Sequence, residues 1–145
     1  MTPQLQSSID NLYRVFYKYP FRSDMQGCPC CVEDEHKREL CAAPLNKLSE
    51  DQLSMFTHKA LTTWGEVEDF KHFLPRIFEL MATSEFAADV TILYKLDYGK
   101  WDTWDEPEKD AVKQFLLAWW ADVAAHKNWF NKELFIEALK RTGDI

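Results

Sequence analysis

The feature that most narrows what this chain can fold into is its sparing and orderly use of glycine. Only four glycines occur in 145 residues, Gly27, Gly65, Gly99 and Gly143. Each falls between stretches whose apolar residues recur every three or four positions. That period marks one buried face of a helix, whereas a half-buried strand alternates every two residues. Glycine and proline punctuate turns and helix ends, and Pro3, Pro20, Pro44 and Pro107 stand at the edges of the same stretches. The nearest approach to a strand is residues 90–96, where β-branched side chains crowd together, but its flanks favour helix. The pattern predicts an all-α fold over 1–145: a compact single-domain bundle of about six helices, with a Cys-rich loop insert at 20–44 after the first.

The individual helices follow from stripes and caps. The first runs from about Pro3 to Tyr19 on Leu5, Ile9, Leu12, Phe16 and Tyr19. The second begins at Ser49, whose hydroxyl caps the first turn while Gln52 reaches back. It carries Leu53, Phe56, Ala60, Leu61 and Trp64 to Gly65. The third, residues 66–81, buries Val67, Phe70, Leu74, Ile77, Phe78 and Met81. Pro75 interrupts it and predicts a kink or break, because proline removes one backbone donor and crowds the preceding turn. A fourth helix follows a Thr83 or Ser84 cap, with Phe86, Val90, Leu93 and Tyr94 inward. A fifth starts at Pro107 on the stripe Val112, Phe115, Leu116, Trp119, Trp120 and Val123, with Glu108 and Asp110 near its positive end. A last helix, 132–141, is capped by Asn131.

Charge and hydropathy remove several function classes. There are 24 acidic against 17 basic residues, giving a net charge of −7, and such a chain repels phosphate backbones. No basic patch offsets this, so no nucleic-acid partner is expected. The longest apolar run, residues 115–121, falls far short of the ~20 needed to span a bilayer, and the first residues lack the basic start and apolar stretch of a signal peptide. No membrane partner and a cytoplasmic location are therefore expected. No Gly-rich phosphate loop, calcium loop or Ser–His–Asp order occurs. The chain reads as a non-enzyme.

All four cysteines lie between Cys28 and Cys41. Cys28, Cys31, His36 and Cys41 read C-x2-C-x4-H-x4-C, a spacing that resembles a CCHC zinc knuckle over 14 residues. Two thiolates from a tight turn grip one ion, and the later His and Cys complete a tetrahedron. Val32 and Glu35 stand where a knuckle carries glycines, and Glu33, Asp34 and Glu39 replace the basic residues of RNA-binding knuckles. Three readings stay open: inert thiols packing a short charged helix, a structural zinc site, and a thiol-dependent enzyme using the Cys28-Pro29-Cys30-Cys31 cluster. Metal analysis of protein purified without added zinc separates the zinc reading from the other two. The zinc reading predicts close to one equivalent, and less than about 0.2 removes it.

Elsewhere, Glu68 and His72 share a helical face. Lys71, His72 and Arg76 form a small basic spot, for which pairing with Glu66, Asp69 or Glu79 is favoured over an external anion. The distribution of charge is more informative. Residues 1–48 and 107–145 each hold six basic and six acidic residues, so the whole excess lies in residues 49–106, with 12 acidic against five basic. Trp101 and Trp104 fall in that stretch among Asp97, Asp102, Asp105 and Glu106. Aromatic anchors ringed by carboxylates suit docking of a basic protein. In the competing reading the two tryptophans cover one end of the core, with the acids as a solvated rim. The leading expectation is a protein-interaction module, most concretely an immunity or antitoxin-type protein that neutralises a basic toxin domain. The alternatives are a zinc-stabilised helical adaptor and the thiol-dependent enzyme.

Overall fold

A computed structural model describes residues 2–20, 38, 40, 43–49, 51–53, 56, 66–83, 91–126 and 140. Among them lie four α-helices, α1 (Pro3–Phe16), α2 (Val67–Thr83), α3 (Thr91–Tyr98) and α4 (Glu106–His126), and two 3-10 turns, η1 (Leu45–Lys47) and η2 (Trp101–Thr103). Residues 38, 40, 51–53, 56 and 140 are also helical, and no strand occurs among the described residues. The all-α expectation holds. Cys28, Cys30, Cys31, His36 and Cys41 lie outside the described residues, as do the Asn131 cap, Phe86, Ala60, Leu61 and Trp64.

Local chemistry sets the helix ends. Thr2 caps α1 by accepting a hydrogen bond from Leu5 N on Oγ1 at 3.2 Å, with Pro3 at the first helical position, where its missing N–H costs nothing. The helix stops at Phe16 rather than Tyr19: Pro20 disfavours helical backbone in the residue before it, and Tyr19 N donates to Phe16 O at 3.1 Å to close the turn. The box at Ser49 forms as expected. Gln52 N donates to Ser49 Oγ at 3.2 Å, and Ser49 N donates to Gln52 Oε1 at 2.8 Å.

The expected break at Pro75 does not occur, and α2 runs through it. Pro75 is buried, and the residues around it, Phe73, Leu74, Ile77 and Phe78, are each at most 1% exposed. Burying four such side chains stabilises by roughly 6–12 kcal/mol, which outweighs the ~3 kcal/mol of an internal proline.

Two tie points orient the bundle. Thr2 N donates to Asp122 Oδ1 at 2.7 Å, while Lys18 reaches Asp105 at 3.4 Å, so α1 lies antiparallel along α4. Lys71 meets Glu108 near the start of α4, and Phe78 stacks on Phe115 further along, 4.6 Å between centroids. Hence α2 runs parallel to α4. The core between them is Leu5, Ile9, Leu12, Phe16, Phe70, Leu74, Ile77, Phe78, Val112, Phe115, Leu116 and Trp119. Of the α4 stripe, Trp120 departs from expectation: it is 39% exposed, while its neighbour Trp119, at 2%, takes the inward position.

Candidate functional site

One end of the bundle gathers the C-terminal turn of α1, the start of α2, the end of α3, η2 and the start of α4. Phe16 and Phe70 both pack on Trp104, with centroids 6.0 and 6.4 Å away, and Trp104 Nε1 donates to Gly99 O at 3.0 Å. Glu66, Glu68, Asp97, Asp102, Asp105 and Glu106 are all exposed and lie on the elements that meet here. Asp97, Asp102, Asp105 and Glu106 are thus all displayed to solvent. The backbone reversal that does this is tight: Gly99 N donates to Lys95 O, and Lys100 follows in the left-handed region at φ 53°, an uncommon conformation for a side chain with a Cβ.

Trp101 and Trp104 are placed differently from the carboxylates, being 8% and 6% exposed. They cover the end of the core. The aromatic side chains displayed at this end are Tyr17, 88% exposed, and Tyr98, 61% exposed. Sequence patterning missed both: Tyr17 follows Phe16, the last residue of α1, and Tyr98 is the last residue of α3. Some of the negative charge is answered locally. Lys18 pairs with Asp105, and Lys109 with Glu106 at 2.9 Å, which pulls the exposed Glu106 carboxyl below its ordinary value, chiefly through the Lys109 hydrogen bond. Glu66, Glu68 and Glu106 also stand at helix starts, where they complement the dipole.

Beneath the carboxylates lies a polar cluster. Glu108 is 1% exposed. Its Oε2 accepts a hydrogen bond from the Tyr19 hydroxyl and lies 3.2 Å from Lys18 Nζ, and its Oε1 lies 2.9 Å from Lys71 Nζ. Lys71 donates to the Tyr19 hydroxyl at 3.0 Å, and its ammonium sits 4.8 Å from the Tyr19 ring and 4.7 Å from the Trp104 ring. Burial pushes the Glu108 carboxyl up, but hydrogen bonds from Tyr19, Lys71 and Lys18 outweigh it and hold the group below its ordinary value. Burial likewise works against the Lys71 ammonium, and its bonds to Tyr19 and Glu108 carry it above its ordinary value. This is a charged pair held by its partners. Its geometry is that of a structural keystone joining α1, α2 and α4.

No protein-family model, curated protein or solved structure matches this chain.

The basic spot read on α2 resolves into three separate attachments. Arg76 pairs with Glu79 at 2.7 Å, as expected, and also donates from Nε to Leu48 O at 2.8 Å. Glu79 in turn accepts from the Tyr13 hydroxyl at 2.6 Å, whose ionisation is pushed well up by burial and by that carboxylate. His72 Nδ1 lies 2.7 Å from Tyr19 O. A carbonyl only accepts, so Nδ1 carries the proton. His72 faces a cleft of about 530 Å³ that Tyr13, Tyr17, Tyr19, Asn46 and Pro75 also line. The described residues contain no group of three or more His, Cys, Asp or Glu side chains able to hold a metal ion. No helix among them is long and apolar enough to cross a membrane.

One further cation stands apart. Lys95 on α3 is 4% exposed, and its Nζ lies 5.4 Å from the Tyr98 ring centroid. Among the described residues its side chain makes no ion pair and no hydrogen bond. Partial burial holds its amine below its ordinary value.

Proposed function

We propose that this protein is a non-enzymatic interaction module of the cytoplasm that binds a basic protein partner through the acidic end of its bundle. Its most concrete form is the immunity or antitoxin type, in which a small acidic domain occupies the cationic cleft of a toxin. What carries the reading is the joint exposure of Asp97, Asp102, Asp105 and Glu106 beside Tyr17 and Tyr98. The carboxylates accelerate encounter with a cation-rich surface, and exposed tyrosines are the residue type that anchors interfaces. Trp101 and Trp104 support this surface from within. The buried Trp101, Trp104 and Lys71–Glu108 pair beneath it suit tight binding, since groups already packed need no ordering on docking.

The test uses products of genes adjacent to this one, purified and mixed with the chain at low and high salt. A basic product is expected to co-purify at about 50 mM salt and to weaken markedly by about 300 mM, where screening shortens the reach of exposed charges. Asp97→Lys with Asp102→Lys is expected to abolish co-purification while leaving the helical circular-dichroism spectrum unchanged. Retention of the partner by this double variant overturns the reading. Asp97 and Asp102 suit the test better than Asp105 and Glu106, which also serve the start of α4.

A further inference from the structure

The longest apolar run of the chain, residues 115–121, lies in α4, and the core takes only part of it. Phe115, Leu116 and Trp119 are buried, whereas Leu117 and Trp120 are 42% and 39% exposed. Three residues apart, these two are neighbours on the helix surface. Beside Leu117, Ala118 and Ala121 of α4 together with Ser7 and Asn11 of α1 line a groove of about 1340 Å³ between the two helices. A projecting leucine next to a recess of small side chains is a surface able to receive a copy of itself.

The charges flanking the groove are ordered in the same way. Thr2 is tied to Asp122 and Lys18 to Asp105, so Ser7, Asp10 and Arg14 of α1 lie level with Leu117, Lys113 and Asp110 of antiparallel α4. Asp10, Arg14 and Asp110 are exposed and Lys113 is half-buried. A two-fold axis parallel to the helices lays each α1 across the other copy's α4 with those levels unchanged. Every acid of the four then faces a base, and Ser7 faces Leu117.

We propose that this protein forms a two-fold homodimer through the α1–α4 groove, in which Leu117 of each copy enters the other's groove and Asp10 and Arg14 meet the second copy's Lys113 and Asp110. These four side chains cancel in charge. Two copies of a chain with net charge −7 therefore meet where self-repulsion is least. The dimer uses none of the residues of the acidic end.

Sedimentation velocity of the full chain, from about 1 to about 200 μM, spans the affinities of ordinary reversible dimers. The mass is expected to rise from 17.1 kDa toward twice that value. Leu117→Lys is expected to weaken association at least about tenfold. Arg14→Glu and Asp110→Arg each set like charges across both Arg14–Asp110 contacts, and each alone is expected to weaken it at least about tenfold. Mixed in equal amounts, the two variants restore opposite charges at both contacts and are expected to pair within about threefold of wild type. Rescue between separate chains cannot come from a change inside one fold. A 17.1 kDa species throughout, which leaves the groove to a different protein, overturns the proposal. So does a mixture that associates no better than either variant alone, or a dimer that Leu117→Lys leaves intact.

Discussion

Glu108→Ala is expected to lower the unfolding free energy by about 3–5 kcal/mol, the cost of removing one member of a buried ion pair and stranding the other. Lys71 would keep its place between the Tyr19 and Trp104 rings with its neutralising carboxylate gone, and the Tyr19 hydroxyl would lose its acceptor. In a chain of this size that corresponds to a fall in Tm of roughly 10 °C, readable by thermal circular dichroism. Glu108→Leu combined with Lys71→Met is expected to recover most of the loss, since a buried pair replaced by apolar groups of similar volume is often neutral. Equal destabilisation by the single and double changes would contradict a keystone held by charge.

The same pair fixes a pH window. The Glu108 carboxyl titrates lower folded than its ordinary 4.5, so its contribution is complete above that value and is lost as pH falls through the folded one. Lys71 titrates above its ordinary 10.5, so its contribution is complete below 10.5 and is lost only as pH rises through the folded value. The penalty of Glu108→Ala is therefore expected to be full at neutral pH and to shrink in acid.

Trp104→Ala is expected to cost about 3–5 kcal/mol, the range for emptying a buried aromatic site. The ring packs on Phe16 and Phe70, shields the Lys71 ammonium, and its Nε1 holds the Gly99 carbonyl at the chain reversal. Trp104→Phe keeps most of the packing and gives up that hydrogen bond, so a loss nearer 1–2 kcal/mol is expected. Chemical denaturation reads both. A stability change under about 0.5 kcal/mol for Trp104→Ala, as for an ordinary surface position, would mean the ring is not part of the core.

What was legible in the sequence and what was not divide along a physical line. Leu5, Ile9, Leu12 and Phe16 declared the buried face of α1 through spacing alone, and Ser49 with Gln52 declared a capping box, because both depend on neighbours within one or two helical turns. Glu108 read as a dipole-complementing acid at a helix start. Its burial depends on Tyr19, just past the end of α1, and Lys71 of α2 arriving together, and no local pattern encodes that meeting. Trp101 and Trp104 sit among carboxylates in sequence but point into the core in space, since adjacent residues of a tight turn diverge. The charge imbalance over residues 49–106 was visible in the sequence; of its carboxylates, Glu66, Glu68, Asp97, Asp102, Asp105 and Glu106 are exposed. A break at Pro75 fails to appear for a related reason: propensity is local, whereas the packing that overrides it is not.

The account as a whole depends on the exposed acids and the buried tryptophans having different jobs. The most direct measurement is the affinity of a basic partner, by calorimetry at low salt, for the wild-type chain, for Asp97→Lys/Asp102→Lys and for Trp104→Phe. The acidic-end reading predicts a loss of at least about tenfold for the charge reversal and affinity within about twofold of wild type for Trp104→Phe. Wild-type affinity in the charge-reversed protein, with a large loss in Trp104→Phe, would contradict it.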